Sequence, residues 1–285
     1  MAGASDAPVG VFDSGVGGLT ILAELRRELP DEHFIYFGDT GNCPYGVRPV
    51  AEIQELSRNA ARFLLARGAK MIVVACNTAS VSARTNLRES FPDVRFVVVV
   101  PAIKPAAERT KVGVVGIAST EASARGDYLK RLIEDHAHGV EVHAVGCPRL
   151  VLLAEQGRFD GEEVEATVRG YIQPLLDAGI DELVLGCTHF PAMRAVFERV
   201  AGPEIEIIDS GAAVAQQTRR VLAEQRLLAP SRGSEAGGSS SPRALDEFWC
   251  SGDAGLFGSV ASAILGTPVD ARHAPGMVLP SVPAR

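Results

Sequence analysis

The chain has 285 residues, is 46% hydrophobic and carries a formal net charge of −7, which leaves apolar material for one large core or two ordinary ones. An acidic balance without a basic stripe argues against a nucleic-acid binder, which must neutralise phosphates. Apolar runs such as Phe96 to Val100 are far short of the roughly 20 residues that span a bilayer. The five cysteines (Cys43, Cys76, Cys147, Cys187 and Cys250) are scattered and never in C-x-x-C spacing, which argues against a disulfide framework or a structural zinc site. The segment Met1 to Pro8 is short and polar and lacks the parts of a secretory signal, so reduced thiols and a cytoplasmic location are expected.

Short apolar runs alternate with amphipathic stretches, the pattern of βα units around a mainly parallel sheet. Strands are expected at Val9–Phe12, Phe34–Phe37, Met71–Ala75, Phe96–Val99, Val112–Val115, Glu141–Val145, Leu183–Leu185, Ile205–Ile208 and Leu245–Trp249. The run Leu19–Leu29 places Leu22, Leu25 and Leu29 three and four apart with charges between them, then meets Pro30; it predicts a helix, as does Ala51–Ala66. Polar turns near Pro101 and Asp209 suggest an inserted α/β lobe, 101–208, inside an outer α/β lobe made of 1–100 and 209–285. The Gly/Ser/Pro-rich stretch 230–243 reads as a flexible surface loop, and the tail from Ala274 as irregular.

Two pieces look like copies of one device: Met71 to Thr78 (MIVVACNT) and Glu182 to His189 (ELVLGCTH). Each is a buried-strand pattern ending in a cysteine, then polar residues, then a helix pattern. A cysteine there sits at the C-terminal edge of a parallel sheet, where open α/β folds place ligands. A helix N-terminus ahead of it is expected to lower its pKa, and the following N–H groups and Thr hydroxyls suit a carboxylate. Either cysteine alone reads best as a small core residue; two in the same setting favour a functional reading.

Two such thiols suit proton transfer at a carbon beside a carboxylate, one acting as base while the other acts as acid. Metal sites want tighter ligand clusters, and a cysteine hydrolase needs a single thiol. The strand and glycine-rich turn Val9 to Thr20 (VGVFDSGVGGLT) lacks a full G-x-G-x-x-G, so dinucleotide binding is a weak reading; a tight turn with an acidic cap explains it equally well. Asp13 and Asp39, at the ends of adjacent βα units, could orient a substrate ammonium or adjust a nearby thiol.

These residues resemble the glutamate racemase family. The resemblance rests on Asp13-Ser14-Gly15-Val16-Gly17-Gly18, Gly38-Asp39-Thr40, Pro44-Tyr45-Gly46, Cys76-Asn77-Thr78-Ala79-Ser80, Gly186-Cys187-Thr188-His189 and Ile208-Asp209-Ser210-Gly211, in that order along the chain. A segment with Ser251-Gly252-Asp253 is similar to the family's C-terminal part. The resemblance implies two α/β lobes with the active site in the cleft between them. It also implies no pyridoxal phosphate and no metal, and a glutamate substrate whose D-isomer feeds peptidoglycan. The same resemblance implies catalytic roles for Cys76, working on D-glutamate, and Cys187, working on L-glutamate, with Asp13, Asp39, Glu155 and His189. Substrate contacts fall on Asp13, Ser14, Pro44, Tyr45, Gly46, Asn77, Thr78, Thr188 and His189. A homodimer is the implied assembly, with neither nucleic acid nor membrane as partner.

Several positions depart from the family pattern. Cys43 stands at a variable place and reads as a tolerated small residue. The segment Gly116 to Thr120 differs from the usual Thr-rich turn, Leu152 stands where a proline is usual, and Phe190 replaces a tyrosine. The histidines His33, His136, His138, His143 and His273 have no cysteine or carboxylate at ligand spacing and read as ordinary. Three rivals remain at this level: a wider-superfamily racemase of aspartate or hydantoins, a binding protein that has kept the anion site without turnover, and a cysteine hydrolase acting through one thiol.

Overall fold

Buried strands alternating with amphipathic helices build two wholly parallel sheets, as the sequence pattern predicts. The computed structural model describes residues 4–230 and 246–277. Two units divide the chain, one of Met1–Val99 with Gly211–Arg285, the other of Val100–Ser210. The expected loop 230–243 falls, but for Pro230, outside the described residues.

The first unit begins with β1 (Val9–Asp13), α1 (Leu19–Glu28), β2 (Phe34–Gly38), α2 (Val50–Ala66), β3 (Met71–Val74), α3 (Asn77–Ser90) and β4 (Phe96–Val98). The strands β1, β2 and β3 are buried at every residue, as a sheet covered by helices on both faces requires. Helix α1 buries Leu19, Ile21, Leu22 and Leu25, and α2 buries Ile53, Leu56, Ala60 and Leu64. Both keep the helical period that the sequence shows.

The second unit follows with α4 (Ile103–Arg109), β5 (Val114–Ser119), α5 (Glu121–Arg125), α6 (Asp127–His136), β6 (Glu141–Gly146), α7 (Pro148–Glu155), α8 (Glu162–Asp177), β7 (Glu182–Leu185), α9 (Arg194–Ala201) and β8 (Glu206–Ile208). Its sheet is packed by Leu150, Val168, Ile172, Leu183 and Phe197 on one face and by Ile103, Ala106, Val115, Ile117 and Leu132 on the other. The chain then returns to the first unit with α10 (Gly211–Glu224), β9 (Glu247–Cys250), α11 (Ala254–Leu265) and β10 (Ala271–His273).

Strand order explains where ligands can sit. In the first unit it is β10-β9-β2-β1-β3-β4, in the second β6-β5-β7-β8. The chain runs from β1 outward to β2, then crosses to β3 on the other side of β1; β5, β6 and β7 do the same. Each sheet therefore has a switch point, at β1/β3 and at β5/β7, where diverging connections leave a crevice at the strands' C-terminal ends. Cys76 follows β3 and Cys187 follows β7, so the two sequence copies occupy equivalent places in two sheets of the same order.

Three expectations need correction. Strand β5 runs from Val114 to Ser119 rather than Val112 to Val115. Gly113, at φ +78°, turns the chain first, and Gly116, which reads as a turn residue, is a strand residue paired with His143 and Leu183, where an added Cβ would come within 2.7 Å of Ile180. Strand β9 continues to Cys250. Strand β10 was not expected; its three residues, of which Arg272 and His273 are exposed, are held by parallel pairing with β9 rather than by an apolar pattern. Among the described residues no helix is long and apolar enough to cross a membrane.

Candidate active site

In the first unit the C-terminal ends of β9, β2, β1 and β3 lie side by side, and they deliver Ser251, Asp39, Asp13 and Cys76. Cys76 caps α3: its sulfur accepts the Ala79 N–H at 3.5 Å. The Cys76 thiol donates to Ser14 Oγ at 3.5 Å, and the Ser14 hydroxyl donates to Asp13 Oδ1 at 2.9 Å. Thiol, hydroxyl and carboxylate thus form a chain of donors ending on an acid.

The expectation that the helix terminus lowers the Cys76 pKa is overturned. Burial pushes the thiol well up and the Asp13 charge pushes it further, against smaller downward pulls from Ser14 and the Ala79 N–H. A thiolate almost wholly removed from water loses more hydration than one capping N–H returns.

Gly18 shows why this turn is glycine-rich. Its φ is an ordinary −62°, but a Cβ would lie 2.7 Å from the Asp13 Cβ and 2.8 Å from the Tyr36 hydroxyl. Close packing behind Asp13, rather than a phosphate cradle, requires glycine here.

Asp39, 1% exposed, is enclosed by donors. Its Oδ1 accepts from Ser251 Oγ at 2.5 Å and Asn42 Nδ2 at 2.8 Å, and its Oδ2 from the Tyr45 hydroxyl at 2.6 Å. Burial raises its pKa, while the bonds from Ser251, Tyr45 and Asn42 and the Arg48 charge draw it back. Tyr45 stays a neutral phenol, pushed up by burial and by Asp39, with smaller contributions from Cys76 and Asp13. It sits in a single 3-10 turn, Tyr45–Val47, after a cis Cys43–Pro44 bond; Pro44 and Gly46 beside it are half-buried. Asn77 and Thr78, the first residues of α3, are each 5% exposed, and Asn77 Oδ1 is buried and accepts no hydrogen bond.

In the second unit Cys187 is followed by a turn through Thr188 and His189, then a 3-10 segment Phe190–Met193, and only then by α9. The helix expected directly after Cys187 is displaced by Pro191, which fills the opening 3-10 turn. Here the thiol is flanked by an imidazole instead of a helix end. His189 Nδ1 is 3.5 Å from the Cys187 sulfur and its Nε2 is 2.6 Å from Glu155 Oε1. Burial lowers the His189 pKa, but the bonds and charges of Cys187 and Glu155 outweigh it and leave it well above the usual histidine value. Glu155 ends α7, and Cys147 caps its start. Cys147 is fully buried, and its thiol is pushed up to about 12 by burial and then by the charge of Cys187.

Within the first unit the fold thus gathers Asp13, Ser14, Asp39, Tyr45, Cys76, Asn77 and Thr78; within the second it gathers Glu155, Cys187, Thr188 and His189. Sequence reasoning missed Asn42 and Ser251 as partners of Asp39 and Cys147 as a neighbour of Cys187. Only the short polar group after β9, Ser251-Gly252-Asp253, hinted at one of them.

The pattern for the family described as Asp/Glu/Hydantoin racemase matches residues 19–218. A glutamate racemase of Herpetosiphon aurantiacus is 51% identical over 231 residues, covering 80% of this chain and 91% of the relative. One of Pseudomonas putida is 45% identical over 244 residues, covering 85% and 92%. Among solved structures, Escherichia coli glutamate racemase in complex with L-glutamate and the activator UDP-MurNAc-Ala is similar, with a TM-score of 0.80 at 32% identity over 94% of this chain and 97% of that one. The Francisella tularensis enzyme in complex with D-glutamate has a TM-score of 0.79 at 28% identity, covering 95% and 98%. On this sequence and fold likeness, the chain belongs to the Asp/Glu/hydantoin racemase family and stands among its glutamate racemases.

Proposed function

We propose that this protein interconverts L- and D-glutamate by moving the α-proton between two thiols, Cys76 of the first unit and Cys187 of the second, without pyridoxal phosphate or a metal. The observation that carries this reading is the equivalence of the two cysteines: each is buried just past the strand that forms the switch point of its own sheet.

The two settings divide the labour. His189 lies against the Cys187 sulfur with Glu155 behind its ring, and Cys187, as the base of this half, takes the α-proton of L-glutamate. Cys76, held as a thiol by burial and Asp13, gives a proton to the other face of the carbanion. The D-isomer leaves with a Cys76 thiolate and a Cys187 thiol behind it; the reverse reaction starts from that form, and continued turnover in one direction returns a proton to Cys76 and removes one from Cys187 by exchange with solvent. The vacant acceptor Asn77 Oδ1 suits an ammonium N–H of the substrate. Thr78 and the α3 N–H groups, like Thr188 and its turn, suit carboxylates. Asp13 and Ser14 hold the Cys76 thiol, and Asp39 orients the loop that carries Pro44, Tyr45 and Gly46.

The test is incubation of the purified protein with L-glutamate in D₂O with no cofactor and with a chelator present. D-glutamate bearing deuterium at Cα is the expected product, formed far faster than D-aspartate from L-aspartate. A trapped acyl-enzyme without Cα exchange would mark a cysteine hydrolase, and glutamate binding without exchange a binding protein; either ends the proposal. Supply of D-glutamate to peptidoglycan predicts rescue of a bacterium that requires D-glutamate. The assembly proposed is a homodimer, read by light scattering.

A further inference from the structure

The support beneath Asp39 comes from a part of the chain beyond the residues 19–218 that the family pattern matches. Ser251 follows β9 and is 1% exposed. It donates to Asp39 Oδ1 at 2.5 Å and accepts the Gly41 N–H at 3.0 Å. The next residue donates its N–H to Thr40 Oγ1 at 3.1 Å, and it is a glycine because a Cβ there would lie 2.6 Å from that same oxygen. Asn42 completes the clamp, donating from Nδ2 to Asp39 Oδ1 at 2.8 Å and to the Met277 carbonyl at 2.9 Å. The turn Thr40 to Asn42, which leads into the Tyr45 segment, is thus held from below by the C-terminal segment.

We propose that Ser251 is a positioning residue for the Cys76 half of the site: its hydroxyl fixes the Asp39 carboxylate, which in turn fixes the Tyr45 hydroxyl. This rests on the racemase reading above. Removing the hydroxyl leaves Asp39 Oδ1 with Asn42 alone and releases the Gly41 N–H. The groups facing Asp39 are then Asn42 and Tyr45 on its own loop and Arg48 beyond it. From β1 comes the Asp13 backbone carbonyl, which accepts the Asp39 N–H at 2.9 Å; Asp13 and Cys76 lie beyond Tyr45. Of these only Arg48 is positive, so a weakened Asp39 carboxylate protonates more readily, and Tyr45 loses its charged acceptor.

The experiment compares Ser251→Ala and Ser251→Thr in the full chain with D-glutamate. In S251A, kcat falls about tenfold while KM changes less than about threefold, and the acid limb of the pH profile moves up by about one unit, as expected for the loss of one charge-assisted hydrogen bond. S251T, which keeps the hydroxyl, restores both. The single tryptophan, Trp249, lies two residues away, so its fluorescence reports whether the segment stays folded. An unmoved pH profile in a folded S251A overturns the proposal. If S251A unfolds, a shifted profile in a folded S251T overturns it instead. A wild-type protein that fails to racemise glutamate defeats the racemase reading, whereas active wild type with indifferent S251A defeats only this one.

Discussion

Oε1 of Glu155 lies 2.6 Å from Nε2 of His189, whose other nitrogen is 3.5 Å from the sulfur of Cys187. A carboxylate at one end of an imidazole and a thiol at the other fix both the ring's orientation and its charge. In Glu155→Gln the His189 pKa drops, a change visible by NMR titration of the ring protons. Turnover from L-glutamate falls roughly tenfold to hundredfold, toward the low end of acid–base contributions because the residue acts through His189. An unchanged His189 titration would show that Glu155 does not hold its charge.

The same shift makes a stability prediction. His189 is raised in the folded state above its unfolded value of about 6.5. The pair's contribution is therefore complete below about pH 6.5 and is lost as pH rises through the raised folded value. Urea midpoints measured from pH 6 upward should decline more in wild type than in E155Q. Parallel curves would contradict this.

Cys76 differs in its electrostatics. Burial, then Asp13, hold it as a thiol, so alkylation of the free protein by iodoacetamide at pH 8 should spare Cys76. Asp13→Asn removes a negative charge, lowers the thiol pKa and speeds that alkylation, while racemisation slows. Mass spectrometry of the labelled peptides reads the site. Rapid labelling of wild-type Cys76 at pH 8 would refute the assigned direction.

At the opposite ends of the first unit's strands, Lys70 Nζ sits 2.6 Å from Glu32 Oε2, with side chains 3% and 2% exposed. Lys70 also donates to the Ser5 carbonyl, and Glu32 Oε1 accepts the Ala229 N–H. Glu32→Ala should cost about 3–5 kcal/mol because it leaves a buried, unpaired ammonium. The double variant E32L/K70M should recover part of that loss, with the Ala229 N–H left unsatisfied. Urea denaturation checks both, and a single-variant loss below about 1 kcal/mol would place the pair among weak surface bridges.

Two glycines should respond in opposite ways to alanine. Gly18→Ala drives a Cβ against Asp13, Tyr36 and Ala75 at 2.7–2.9 Å and should cost about 1–3 kcal/mol together with most activity. Gly170, inside α8 with nothing within 4 Å of a new Cβ, should gain about 0.5–1 kcal/mol as alanine through helix propensity. Thermal melts distinguish the two.

The sequence alone determined the alternation of strand and helix, the placement of Cys76 and Cys187 past buried strands, and the turn after β1. These are local: apolar period, glycine and proline positions and strand length are written within a dozen neighbouring residues. The course of β5 through Gly116 was not legible, because the strands it pairs with and the Ile180 side chain that crowds it lie far along the chain. The tertiary structure alone decided which partners each candidate residue meets. Ser251 reaches Asp39 across 212 positions and Glu155 reaches His189 across 34. It also decided the protonation of Cys76, since the same cysteine before the same helix would be acidified if water reached it. Burial is a property of everything packed around a group, and no local pattern carries it.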